Sequence, residues 1–119
     1  MRVSVRAGSK RLGEFEVCSS FLARARGLMF RRHPTRLLFV FPSAGMHAIH
    51  SLFVFFPFDA IFLDERKRVV FVRKNIPPFT LLVRPPRAIR YLLELPAGKV
   101  DVREGEKVVW QKAVRSRRN

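Results

Sequence analysis

The apolar residues of this chain occur in short runs between turn-forming residues, and this spacing predicts strands rather than long helices. In RVSVRA (2–7) and EFEVC (14–18), apolar and polar residues alternate with a period of two, so we expect a half-buried hairpin around a GSKRLG turn. FDAIFLD and RVVFVRK predict a second hairpin around DERKR. Further strands are predicted at LLFVF (37–41), IRYLLEL (89–95) and EKVVWQKAV (106–114).

One short helix interrupts this pattern. Ser19 or Ser20 is a suitable N-cap for FLARARGLMF (21–30), whose apolar face would comprise Leu22, Ala25, Leu28 and Met29. The four prolines of IPPFTLLVRPPR (76–87) indicate a surface excursion or a sheet edge. The predicted fold is mainly β (α+β), a small closed or nearly closed β-barrel-like domain with one short helix near residues 20–30. It would span residues 1–114, followed by a basic disordered tail, 115–119.

Composition favours one cytoplasmic domain with a strongly basic surface. The 119 residues include 24 basic and 9 acidic side chains, a formal charge of +15 that attracts polyanions. Cys18 is the single cysteine, which excludes an internal disulfide, and its place at a strand end favours a buried, inert thiol. Few amides beside abundant charge are typical of a thermophilic source. No apolar secretion signal is found near Met1, hence the cytoplasmic prediction.

The longest apolar segment, 44–63, has the length of a transmembrane helix but not its composition. Pro57 would break such a helix, and Asp59 would cost about 3 kcal/mol near the bilayer centre. Its phenylalanines and β-branched residues favour strands instead. We therefore predict no membrane span, and the sequence predicts no particular oligomeric state.

Four phrases occur in a characteristic order along the chain. They are ARGLMFR (25–31), HSLFVFFPFDAIFLD (50–64), VRKNIPPF (72–79) after the second hairpin, and LLELPAG (92–98). Together they resemble domain-of-unknown-function family 192, also called the UPF0127 family, over roughly residues 17–110. The resemblance implies a small β-rich fold with one helix and no particular activity. This chain has Val54 and Phe55 where many relatives have Met-Arg, which removes a polar group from the expected cleft.

Three polar residues interrupt the apolar strands of these phrases: His50, Asp59 and Glu94. Buried polar groups persist only when they are paired or used. We predict that His50 and Glu94 border one cleft, with Asp59 behind them as an orienting or structural carboxylate. A small anionic ligand is expected there, because the neighbouring helix carries basic residues that could reach the rim: Arg24, Arg26 and Arg31.

Three other interpretations stay open. His50, Asp59 and Glu94 could form the acid–base set of an enzyme. Alternatively, the two carboxylates could tie down Arg26 or backbone amides, with His50 as a satisfied interior group. The basic surface could bind nucleic acid, although most phenylalanines lie in apolar runs typical of a core. No metal site is predicted, since His47 and His50 would point to opposite faces of a strand, and no cofactor is expected.

Overall fold

A computed structural model describes residues 1–51, 53–80, 82–98 and 101–113. These residues form one helix, α1 (Phe21–Arg26), and seven strands. The strands are β1 (Arg2–Ala7), β2 (Lys10–Cys18), β3 (Leu37–Gly45), β4 (Phe58–Leu63), β5 (Val69–Ile76), β6 (Ile89–Pro96) and β7 (Val108–Lys112). In this part of the chain, no helix has the length and apolar character needed to cross a membrane.

The strands form one sheet in the order β5-β4-β6-β3-β2-β1-β7. Neighbouring strands are antiparallel except β2 and β3, which run parallel from Glu16 opposite Leu37 to Cys18 opposite Phe39. A parallel pair needs a crossover connection, and here it contains α1. The most distant pairing along the chain joins β1 to β7, where Val3 lies opposite Lys112.

The sheet curls until its two edges meet at one end. Arg68, just before β5, forms an isolated antiparallel bridge with Lys107, just before β7. Beside this bridge, the Val69 amide donates to the Glu106 carbonyl at 2.9 Å and the Val108 amide donates to the Lys67 carbonyl at 2.9 Å. The result is a half-barrel that closes at one corner, and the prediction of a mainly β fold with one short helix is confirmed.

Strand alternation divides the core into two clusters on opposite faces of the sheet. On β4, Ile61 and Leu63 belong to the first cluster, whereas Ala60 and Phe62 belong to the second. On β6, Leu93 and Leu95 belong to the first cluster, and Leu92 belongs to the second. Directly paired residues of antiparallel strands share a face. Glu94, which pairs with Ala60 and with Leu37, therefore lies on the face of the second cluster.

Several predicted boundaries change in the structure. The helix ends at Arg26 instead of Phe30, and Leu22, expected to be buried, is 78% exposed. Gly27 ends the helix after less than two turns, so no continuous apolar face develops. The GSKRLG turn is reduced to Gly8 and Ser9, since β2 begins at Lys10. The predicted tail, 115–119, lies outside the described residues.

Candidate functional site

A cavity of about 400 Å³ lies between α1, the face of the second cluster and the segment that follows β3. Its size is within the usual range of small-molecule sites. The apolar part of its lining includes Leu28, Met29, Phe39, Phe41, Ile49 and Val54. Its polar side chains are Arg24, Arg26, His47, His50 and Glu94. The cavity thus combines an apolar interior with four basic side chains and one carboxyl group.

The ARGLMFR phrase builds one wall of this cavity. The Ser20 hydroxyl caps α1 by accepting a hydrogen bond from the Ala23 amide at 3.1 Å. Gly27 ends the helix with φ 48° and ψ −126°, a backbone conformation that L side chains rarely adopt. A Cβ atom on Gly27 would lie 3.0 Å from Cζ of Phe39, so glycine also allows the chain to lie against β3. Leu28 is consequently buried, and Met29 reaches the cavity.

Glu94 is the most buried polar group of the cavity, with only 4% of the residue exposed. No hydrogen bond or ion pair to its carboxyl group is found among the described residues, and no fully buried side-chain oxygen there lacks a partner. Glu94 forms part of the cavity lining. Burial raises its pKa from 4.5 to about 8, opposed by the positive charge of Arg31. At neutral pH Glu94 is therefore mainly protonated, and its carboxyl group is able to donate a hydrogen bond.

Another part of the cavity lining is cationic and aromatic, and it contains Arg24, Phe41 and His47. Arg24 donates to the carbonyl oxygens of Ser19 and Val40, and its guanidinium lies 5.8 Å from the Phe41 ring centroid. The rings of Phe41 and His47 are stacked, with their centroids 4.0 Å apart. Within the described ranges, Arg24 has no carboxylate partner, and neither does Arg26. Their charges are available to an anion.

The structure brings some of the predicted site residues together and separates others. His50, Arg26 and Glu94 line the same cavity, and His50 is exposed rather than interior. Arg31 is not part of the lining. Its Nε donates to the Gly27 carbonyl at 2.9 Å, and Nη2 lies 3.4 Å from a Glu16 carboxylate oxygen. It influences the cavity through its charge, which acts on Glu94.

Asp59 lies on the opposite face of the sheet from Glu94, so it is not behind His50 and Glu94 as expected. Its Oδ1 accepts from the Asn75 amide at 2.6 Å, and its Oδ2 accepts from the Gly98 amide at 3.0 Å. The carboxylate is 1% exposed and fastens the end of β5 and the turn after β6 to the start of β4. Asp59 holds backbone amides at strand ends and does not contribute to the cavity.

Two further residues escaped the sequence interpretation. The sequence pattern presents His47 only as a possible metal ligand, whereas in the structure the chain after β3 turns back so that the His47 ring stacks on that of Phe41. Ser51 is completely buried; its hydroxyl donates to the Pro77 carbonyl at 2.7 Å and accepts from the Thr80 amide at 2.7 Å. The sequence does indicate a structural role for Ser51, because a small polar residue inside an apolar run is expected to be buried and hydrogen-bonded.

Cys18 lies close enough to the site for Glu94 to influence it. Burial raises the pKa of its thiol to about 11, and the negative charge of Glu16 adds to this rise. The thiol is therefore protonated at neutral pH, as an inert core thiol would be. Among the described residues, no three histidine, cysteine, aspartate or glutamate side chains converge as metal ligands would.

Fold and cavity together define a small β half-barrel with a pocket between its helix and its sheet. Residues 3–110 match the DUF192 family, described as "Uncharacterized ACR, COG1430". UPF0127 protein PH1112 of Pyrococcus horikoshii is 36% identical over 103 residues, which cover 82% of this chain and 88% of that protein. The chain belongs to the DUF192 (UPF0127) family, as its four phrases predicted. Relatives from Pyrococcus and Thermococcus also suit the predicted thermophilic character.

Two solved structures share this fold. One, from Sinorhizobium meliloti, is described as a putative transcription regulator and superposes with a TM-score of 0.80 over 92% of each chain. The other, a protein of unknown function from Novosphingobium aromaticivorans, also gives a TM-score of 0.80 and covers 92% of this chain and 84% of that one. Both are 24% identical to this chain, so the likeness is one of fold.

Proposed function

We propose that this protein is a binding module for a small anion with an apolar body, held in the cavity between α1 and the sheet. The observation that carries the proposal is the buried Glu94, which lines an apolar cavity and is mainly protonated at neutral pH. A ligand carboxylate or similar group would accept the Glu94 proton in a charge-assisted hydrogen bond. Arg24 and Arg26 would supply the countercharge.

The charge balance of the cavity favours an anion over a cation. A cationic ligand would need an ionised Glu94, and ionisation is opposed by burial and is not matched by a hydrogen bond from any described residue. An anion finds Glu94 already protonated and two arginines without a carboxylate partner among the described residues. Because the rest of the lining is largely apolar, the ligand's body should also be apolar.

The acid–base enzyme is less favoured by this geometry. Its third member, Asp59, lies on the other face of the sheet and is occupied by two backbone amides. His50 and Glu94 alone provide a proton donor and a hydrogen-bonding group, which is enough for recognition. A binding role uses the polar groups that line the cavity and requires no further residue.

A matched ligand series tests the proposal directly. Hexanoate, hexanol and hexylamine have the same apolar chain and differ in the charge of the head group. In a ¹H–¹³C NMR titration at neutral pH, the methyl signals of Leu28 and Met29, which line the cavity, should shift saturably with hexanoate. Hexanol should bind more weakly and hexylamine weakest. Equal or tighter binding of hexylamine, or unchanged methyl signals with hexanoate, would contradict the proposal.

Variants separate the cavity from the general positive charge. Arg26→Ala should weaken hexanoate binding several-fold, whereas Arg66→Ala, which removes the same charge in the turn after β4, should not. Glu94→Gln keeps a neutral hydrogen-bond donor and should retain binding, whereas Glu94→Leu removes the donor and should lose it. Equal effects of the two arginine substitutions would assign the binding to the overall charge of the protein.

A further inference from the structure

Four phenylalanines form a continuous patch on the surface, and we call them the aromatic patch: Phe30, Phe53, Phe55 and Phe79. They are 60%, 47%, 56% and 60% exposed, respectively. Ring centroids lie 5.1 Å apart for Phe30 and Phe53, 6.4 Å for Phe30 and Phe55, and 6.2 Å for Phe55 and Phe79. Single exposed apolar residues are common, but a continuous exposed patch marks an interaction surface.

The backbone holds two of these rings outward in an unusual conformation. Phe30 has φ 62° and Phe79 has φ 64°, values that are rare for bulky side chains. Hydrogen bonds fix both positions: the Phe30 amide donates to the Phe53 carbonyl at 2.9 Å, and the Phe79 amide donates to the Ser51 carbonyl at 2.6 Å. Glycine would adopt these turns without strain, so phenylalanine at both positions adds backbone strain while it keeps an aromatic ring on the surface.

The segments that carry the aromatic patch bear basic charge and no acidic charge. No aspartate or glutamate occurs from residue 17 to 58, or from residue 66 to 93. Arg32 follows Phe30 closely, and Arg84 and Arg87 follow Phe79 along the same excursion; all three are exposed. The partner of this surface should therefore combine an apolar medium with negative charge.

We propose that the aromatic patch docks on an anionic lipid bilayer. The phenylalanines would enter the boundary between head groups and acyl chains, while the flanking arginines would contact head-group phosphates. Nucleic acid fits less well, because bases need free ring faces and Phe30 and Phe53 already stack on each other with an interplanar angle of 20°. The proposal stands on the patch alone and does not depend on which ligand occupies the cavity.

Vesicle sedimentation with the full chain tests the docking. Wild type should bind vesicles of phosphatidylcholine with about one third phosphatidylglycerol, and should bind pure phosphatidylcholine vesicles much more weakly. Phe53→Ser with Phe55→Ser should raise the lipid concentration for half-saturation at least about tenfold, because two inserted rings are lost. Val109→Ser, which replaces an exposed apolar residue on β7, should leave it unchanged. Equal binding of wild type and the double serine variant would overturn the proposal.

Charge-matched variants and two alternative partners complete the test. Arg32→Ala with Arg84→Ala should weaken vesicle binding more than Arg11→Ala with Arg66→Ala, although both pairs lower the net charge equally. Equal weakening would show adhesion through net charge alone and overturn the proposal. Two other results would also overturn the proposal, each with vesicle binding of the double serine variant unchanged. In the first, the variant loses binding to oligothymidylate that wild type shows. In the second, it loses a dimer that light scattering detects for wild type.

Discussion

The Asp59 carboxylate lies 3.0 Å from the Gly98 amide, and its other oxygen accepts from the Asn75 amide. Asn75 has φ 55° and Gly98 has φ 83°, so both amides belong to sharp local changes of chain direction. One buried side chain therefore fixes the neighbouring ends of three strands. It thereby joins the Pro-Phe-Asp phrase at the start of β4 to the Leu-Pro-Ala-Gly phrase at the end of β6.

Asp59→Ala should harm folding more than ligand binding. Two buried amides would lose their acceptor, which should lower the free energy of unfolding by about 2–4 kcal/mol. Asp59→Asn should cost less, because its amide oxygen can still accept one of the two hydrogen bonds. Chemical denaturation measures both variants. An Asp59→Ala protein within about 0.5 kcal/mol of wild type would contradict the structural role.

The contribution of Glu94 to the free energy of unfolding should fall as the pH rises from about 4.5 to about 8. Over this window the unfolded chain, with an ordinary Glu94 pKa of 4.5, has lost the proton that the folded chain retains up to about pH 8. The unfolded state thus binds fewer protons, and rising pH favours it by a total of about 3–5 kcal/mol. Glu94→Gln lacks this titration, so its free energy of unfolding should exceed that of wild type above the window. Parallel pH profiles for the two proteins would contradict the raised pKa.

Gly27→Ala should destabilise the protein more than Gly8→Ala. Both glycines have positive φ, 48° and 62°, but a Cβ on Gly27 would meet Phe39 at 3.0 Å, whereas a Cβ on Gly8 would meet nothing within 4 Å. The excess cost of Gly27→Ala, about 1–2 kcal/mol, would then report the contact with β3. Thermal melting of the two variants provides the measurement, and equal losses would show that the contact relaxes freely.

Cys18 should resist alkylation in the folded protein. Cys18 is only 1% exposed, and the raised pKa of its thiol leaves almost no thiolate at neutral pH. Iodoacetamide should label it only after unfolding in denaturant, as measured by mass spectrometry. Rapid labelling of the native protein would mean that the strand end around Cys18 opens readily.

Local sequence patterns are sufficient to predict most of the strands, but they do not predict which polar residues meet in the cavity. Alternation in RVSVRA and EFEVC reports which face of a strand is buried, and that information is local. The separation of Asp59 from Glu94 depends on which residues pair across β4 and β6, and a shift of one residue would reverse it. Sequence alone did not give this register. The aromatic patch was missed for a related reason, since apolar runs predict burial whether or not other elements cover them.

The pairing of β1 with β7 has a consequence for the way this chain folds. Val3 cannot complete its hydrogen bonding until Lys112 has arrived, although the hairpins β1–β2 and β4–β5 can form from nearby residues. Until β7 docks, β1 remains an open edge that could pair with another molecule. Such long-range pairing slows folding, because the chain between the two strands must lose conformational entropy before their contacts can form. During synthesis the nascent chain would need protection until its final strand closes the sheet.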